Sequence, residues 1–166
     1  MKQTINSLAK SLRSSDLIVL ALTLLVLLAV MIHRDNNGIA TRSTTKDFDS
    51  VMTELQEALL KRGYSINKIQ PVDKGLAKAG YTLDTYKVIF YQKTEDMAEI
   101  KSLHPEFTAF LPLTFTLVKN RDSVSIIGMP FNMLLKNAPS KSIRRLVKKW
   151  RKDSNAIVRE IGRTPS

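Results

Sequence analysis

The 166-residue chain has no cysteine, only two histidines and only six glycines. Lacking cysteine, it has no disulfide, no thiolate nucleophile and no Cys-ligated zinc or iron–sulfur centre. The compartment stays open on this ground, because a cysteine-free chain is compatible with an oxidising one. The glycines form no phosphate-cradling loop, and no HExxH, Walker or serine-elbow pattern occurs. No CxxCH is present to attach a c-type haem. His104 has Met97, Met129 and Met133 as conceivable axial co-ligands, but methionines in apolar stretches are mostly core filler. No cofactor is expected. No second histidine or acidic triad accompanies His104 to build acid–base chemistry, and His33 reads as a polar flank.

Acidic residues are scarce in one region. Residues 136–166 hold ten Lys/Arg against two Asp/Glu, and residues 1–47 hold six against three. Residues 48–135 hold ten of each, so the net charge of +11 belongs to the two ends and the middle is neutral. A nucleic-acid-binding globule would itself carry a basic face, so no nucleic-acid partner is expected.

The longest hydrophobic stretch is residues 17–32, apolar except for Thr23 and bounded by Asp16 and His33-Arg34-Asp35. Sixteen residues at the helical rise span about 24 Å, somewhat short of a bilayer core of roughly 30 Å. Snorkelling flanks or local thinning would absorb the difference. A cleaved signal peptide would want a small-x-small site, which Leu28-Ala29-Val30-Met31-Ile32 offers poorly. A soluble core helix would rarely be apolar on every face. Residues 17–33 are therefore expected to be one transmembrane anchor after a short basic leader at 1–16. Lys2, Lys10 and Arg13 before the run balance Arg34, Arg42 and Lys46 after it. The short leader then favours a cytoplasmic N-terminus, with the bulk of the chain outside the cytoplasm.

Residues 34–46 contain Asn36-Asn37-Gly38 and a Ser/Thr-rich stretch and read as a linker. Thirteen stretched residues span about 45 Å, which keeps the following domain near the membrane. Asp47 or Asp49 caps a helix carrying Phe48, Val51, Met52, Leu55 and Leu59, stopped by Gly63. Residues 64–69 suggest a strand ended by Pro71, residues 73–79 a short helix closed by Gly80, and residues 86–91 a central strand. Thr94 is placed to cap a helix over 95–103, with Glu95, Asp96 and Glu99 reading as an acidic first turn rather than a cation site. Residues 113–118 and 124–127 alternate as a hairpin around Asn120-Arg121-Asp122. Residues 47–135 are thus expected to form a small α+β domain, a single antiparallel or mixed sheet covered by helices.

The tail, residues 136–166, contains the clearest helix. Ile143, Leu146, Val147, Trp150, Ser154, Ile157, Val158 and Ile161 fall on one stripe, with Lys and Arg largely off it. Either the stripe packs on the sheet, which needs cover, or the helix lies on a membrane surface. Packing is favoured, and the two are compatible. Lys148, Lys149, Trp150, Arg151 and Lys152 are the candidates for contact with anionic lipid or a partner.

Several segments taken in order resemble the domain of unknown function 302 family. They are Gly63-Tyr64, Leu76-Ala77-Lys78-Ala79-Gly80, Lys87-Val88-Ile89-Phe90, Met97, His104-Pro105 and Leu111-Pro112-Leu113. The resemblance covers residues 48–134. It implies a compact α+β domain with helices on one face of a sheet, found in bacterial and often exported proteins, and no established activity. Where the family usually has a Gly-Asn-Pro turn, this chain has Tyr91-Gln92-Lys93.

These features predict a non-catalytic accessory or interaction domain, partnered with a membrane protein or with a second copy of itself. The competing expectation is a small-ligand or enzymatic pocket near Lys78, Met97 and His104.

Overall fold

The computed structural model describes residues 22–23, 39–82 and 84–161. The chain divides into two units, Met1–Asn37 and Gly38–Ser166. In the first unit only Leu22 and Thr23 are described, both helical. The rest of the expected anchor at 17–33 and the leader at 1–16 lie outside the described residues. Among the described residues no helix is long and apolar enough to cross a membrane.

The second unit runs β1 (Thr41–Thr44), α1 (Phe48–Lys61), β2 (Ser65–Pro71), α2 (Val72–Lys78), β3 (Tyr86–Gln92), α3 (Thr94–Leu103), a 3-10 helix (Pro105–Phe110), β4 (Leu113–Asn120), β5 (Ser123–Gly128), α4 (Phe131–Lys136) and α5 (Lys141–Ile161). The strands form one sheet in the order β1-β5-β4-β3-β2, with every neighbouring pair antiparallel. The fold is α+β as expected, and the sheet is purely antiparallel.

Strand alternation assigns the two faces. Ile89 pairs with Phe115, Tyr91 with Leu113, and Leu117 with Ile126. All six are buried and belong to one core cluster with the apolar faces of α1 and α5. Val88, Phe90, Thr114, Thr116, Val118 and Ile127, which point the other way, are only half-buried. The core therefore sits on one face of the sheet, under the two long helices.

Asp47 caps α1, accepting a hydrogen bond from the Ser50 amide at 2.9 Å. Ser50 holds the Asp47 carboxyl below its ordinary range, chiefly through its side chain and then its amide. Helix α1 closes at Gly63, with φ +73°. There the Tyr64 amide reaches the Leu59 carbonyl and the Gly63 amide the Leu60 carbonyl. The same double closure recurs after α2: Gly80 has φ +86°, and Tyr81 and Gly80 bond back to Leu76 and Ala77. Only glycine takes this left-handed position freely, so both Gly-Tyr pairs are helix stops.

Three features depart from the sequence reading. The expected linker at 34–46 is not all linker: Ala40 is buried, and Thr41–Thr44 pairs along β5. Its polar composition hid an edge strand whose outer side chains face water, with Ser43 Oγ 3.2 Å from Ser125 Oγ. Lys93, not Thr94, occupies the N-cap position of α3, and no side chain caps that helix. The 3-10 helix and α4, at six residues each, are too short to show a period, yet they bury Phe107, Phe131 and Leu134.

Helix α5 is part of the domain and not an appendage. Ile143, Val147, Trp150, Ile157, Val158 and Ile161 are all buried. At about 1.5–3 kcal/mol for each fully buried large apolar side chain, their burial contributes on the order of 10 kcal/mol before ordering entropy is subtracted.

Candidate functional site

Lys78, Met97 and His104 line none of the three clefts described below. Lys78 is exposed at the end of α2, Met97 is half-buried on α3, and His104 is half-buried where α3 ends. The His104 ring places Nδ1 3.3 Å from Glu106 Oε1, and that carboxylate is mostly exposed. Three clefts among the described residues are lined by other side chains. One, about 500 Å³, lies at the hairpin end between Asp84 and residues 120–123. One of about 350 Å³ runs between α1 and the end of α5, lined by Glu54, Glu57, Lys61 and Glu160 among others. A smaller one of about 170 Å³ lies between residues 45–48 and the β4–β5 turn. Lys46 bridges to Glu54 at 2.7 Å and Arg62 to Glu160 at 2.6 Å, so both Glu54 and Glu160 of the second cleft are in ion pairs. Among the described residues no group of three or more His, Asp or Glu is arranged to hold a metal ion. Asp96 is drawn into a hydrogen bond with Trp150, whereas Glu95 and Glu99 are exposed.

The densest polar chemistry lies in a seam beneath α5, where it crosses the ends of β2 and β3 and the first turn of α3. Tyr64 is 2% exposed, and its hydroxyl donates to Asp153 Oδ2 at 2.9 Å. Trp150, also 2% exposed, donates its indole N–H to Asp96 Oδ2 at 2.6 Å. The Tyr64 ring meets Tyr91 edge-on at 5.3 Å, and Tyr91 stacks on Phe115 at 5.2 Å. Lys93 Nζ sits 4.7 Å over the Tyr64 ring. Tyr91 Oη and Ser154 Oγ are buried with no hydrogen-bond partner among the described residues.

Burial pushes the Tyr64 phenol well above its ordinary value, and the hydrogen bond and charge of Asp153 push it further. Burial also raises Tyr91, opposed in part by the nearby Ser154 hydroxyl. Both phenols therefore stay neutral at physiological pH, and Tyr64 keeps its proton in the hydrogen bond to Asp153. The seam does mechanical work. Two directional bonds, one from Trp150 and one to Asp153, tie adjacent turns of α5 to two different elements, α3 and the start of β2. They set the rotation of the helix about its own axis, and with it the side chains it turns outward.

What α5 turns outward is positive. Lys141, Arg144, Arg145, Lys148, Lys149, Lys152 and Arg159 are exposed, and Arg151 is half-buried. At roughly 100° per residue, Lys141, Arg145, Lys148, Lys152 and Arg159 line up opposite the buried stripe. Residues 141–152 contain no acid, and among the described residues none of their cations is in an ion pair. Four members of the expected contact group, Lys148, Lys149, Arg151 and Lys152, thus lie on or beside this ridge. Trp150 does not: it is sealed in the seam, and its indole N–H is already used. Ser154 was the legible clue to the seam, as a polar residue inside an apolar stripe. Tyr64, Tyr91, Asp96 and Asp153 gave no such sign.

A five-stranded antiparallel sheet with its long helices on one face defines a small α+β domain. The family described as "Domain of unknown function DUF302" matches residues 39–161, and the chain belongs to that family. A solved relative is titled "Crystal structure of uncharacterized conserved protein DUF302 from Bacillus stearothermophilus". It is 14% identical with a TM-score of 0.67, and the match covers 75% of this chain and 98% of the relative. The match thus spans almost the whole of the relative. No curated protein matches the chain. Tyr91-Gln92-Lys93, at the end of β3, places Tyr91 in the seam and Lys93 over the Tyr64 ring.

Proposed function

We propose that this chain is a membrane-anchored, non-catalytic interaction protein. In this reading it is an accessory subunit or partner of a bacterial inner-membrane protein complex, with the Gly38–Ser166 unit on the periplasmic side. The observation that carries the reading is the apolar run at residues 17–32, which ends only a few residues before the domain begins at Ala40. A sixteen-residue run is short for a lone span, and neighbouring helices of a complex would accommodate it. The charge map supports the same layout, since a neutral body lies between two basic ends.

Extraction tests it. The full chain stays in the membrane pellet under alkaline carbonate and dissolves only in detergent. A reporter fused after Ser166 reads as periplasmic. Native sizing in mild detergent gives a particle larger than one chain, with either a co-purifying membrane protein or a second copy. A clean detergent-solubilised monomer contradicts the accessory role, and release by carbonate contradicts the anchor.

A further inference from the structure

We infer that the outward ridge of α5 is a docking surface for anionic phospholipid headgroups, and that it seats the domain on the bilayer through which its own chain is anchored. The inference deepens the anchored reading above and rests on it for the nearness of the bilayer.

Four observations carry it. The ridge is dense and unneutralised: residues 141–152 present seven Lys/Arg, no acid and no ion pair among the described residues. It is held in one orientation, because the Trp150–Asp96 and Tyr64–Asp153 bonds fix the rotation of the helix. The chain also enters the domain beside this helix. A Cβ added at Gly128 would lie 3.1 Å from Ser154 Oγ and 3.3 Å from the Ala40 side chain, so Ala40 and α5 close on each other across that glycine. Finally, residues 33–39 are the only chain between the apolar run and Ala40. Seven residues reach at most about 25 Å. A bilayer that holds the run is therefore within a short tether of the face that α5 covers.

The chemistry fits a lipid surface better than a shaped pocket. The cations stand on one convex helix with no wall beside them, which suits a diffuse plane of phosphates. Each Lys or Arg near an anionic surface adds a modest, salt-screened attraction. A single weak surface signal does not hold a protein on a membrane, but the same signal added to an anchor orients it. The buried Trp150 excludes insertion of an aromatic wedge, so the contact is electrostatic and leaves the helix docked on its own sheet.

The Gly38–Ser166 unit tests this apart from the anchor, since it is one compact unit that holds its whole hydrophobic core within itself. Flotation with mixed phosphatidylglycerol–phosphatidylcholine vesicles is compared with pure phosphatidylcholine vesicles. Binding is expected to the anionic vesicles only, and to fall as salt is raised. The variant R145Q/K148Q/K152Q is expected to bind on the order of a hundredfold more weakly while melting at the wild-type temperature. Neutralising Lys68 and Lys74, exposed on β2 and α2 and off the ridge, leaves binding within about twofold of wild type. Equal partitioning to both vesicle types, or unchanged binding by the ridge variant, overturns the inference. So does tighter binding of a short oligonucleotide than of anionic vesicles at the same salt. Carbonate extraction of the full chain reports separately on the anchor, so the two readings can fail independently.

Discussion

Replacing Trp150 with Phe tests the seam that orients α5. Two effects add. Removing part of a large ring from a site only 2% exposed deletes buried contact and leaves a cavity, at about 1–2 kcal/mol. The variant also loses the 2.6 Å hydrogen bond to Asp96. A bond to a charged acceptor contributes about 1.5–3 kcal/mol when well buried. Asp96 is half-exposed, so water recovers part of this and about 1 kcal/mol remains. The expected total is about 2–3 kcal/mol, measured by urea unfolding of the Gly38–Ser166 unit followed by far-UV circular dichroism. Fluorescence cannot follow it, because Trp150 is the single tryptophan of the chain. The double-mutant cycle with Asp96→Ala isolates the bond and should give a coupling of about 1 kcal/mol. A coupling within about 0.3 kcal/mol of zero, with both single variants destabilised, would refute the claim that this bond fixes the helix.

The other predictions concern neighbouring residues. Ser154→Ala removes a buried hydroxyl that lies against the Tyr91 phenol without a well-formed hydrogen bond, and it gains helix propensity, so stability should rise by about 0.5 kcal/mol in the same unfolding assay; a loss of stability would mean that the Ser154–Tyr91 contact is a stabilising bond. Gly128→Ala forces a methyl against the Ser154 hydroxyl and the Ala40 backbone, and should cost about 1–2 kcal/mol, with Ser154→Ala relieving part of it. Gly63→Ala has open space around it but keeps φ at +73°, so a loss of about 1 kcal/mol comes from the backbone alone. Stability should also fall above about pH 10. Tyr64 and Tyr91 keep their protons in the folded domain while the unfolded chain releases them, so the unfolded state gains as pH rises through the ordinary phenol range. Tyr91→Phe should soften that alkaline limb, read from urea midpoints across pH.

Much of the architecture was legible because its signals are local. Gly63 and Gly80 stop their helices through the left-handed closure their neighbours require. The alternation over residues 113–118 and 124–127 became β4 and β5 around the expected turn. The stripe on α5 predicted its buried face, with Leu146 alone staying half-exposed. Edge strand β1 was hidden because an edge needs few apolar residues, and Thr41–Thr44 shows its worth only when laid against β5. The seam was hidden for a different reason: Tyr64 and Asp153 lie 89 residues apart, and Asp96 and Trp150 lie 54 apart. No periodicity within one element can report a bond between two. Lys78, Met97 and His104 stand on α2, on α3 and just after α3, and none of them lines a cleft described above.

The central claim is that a short apolar run tethers this domain to a bilayer, and carbonate extraction of the full chain from membranes tests it most directly. The account predicts that the protein remains in the pellet at alkaline pH, and that deleting residues 17–32 moves it to the soluble fraction with the domain still folded. Quantitative release of the intact full-length chain by carbonate would contradict it.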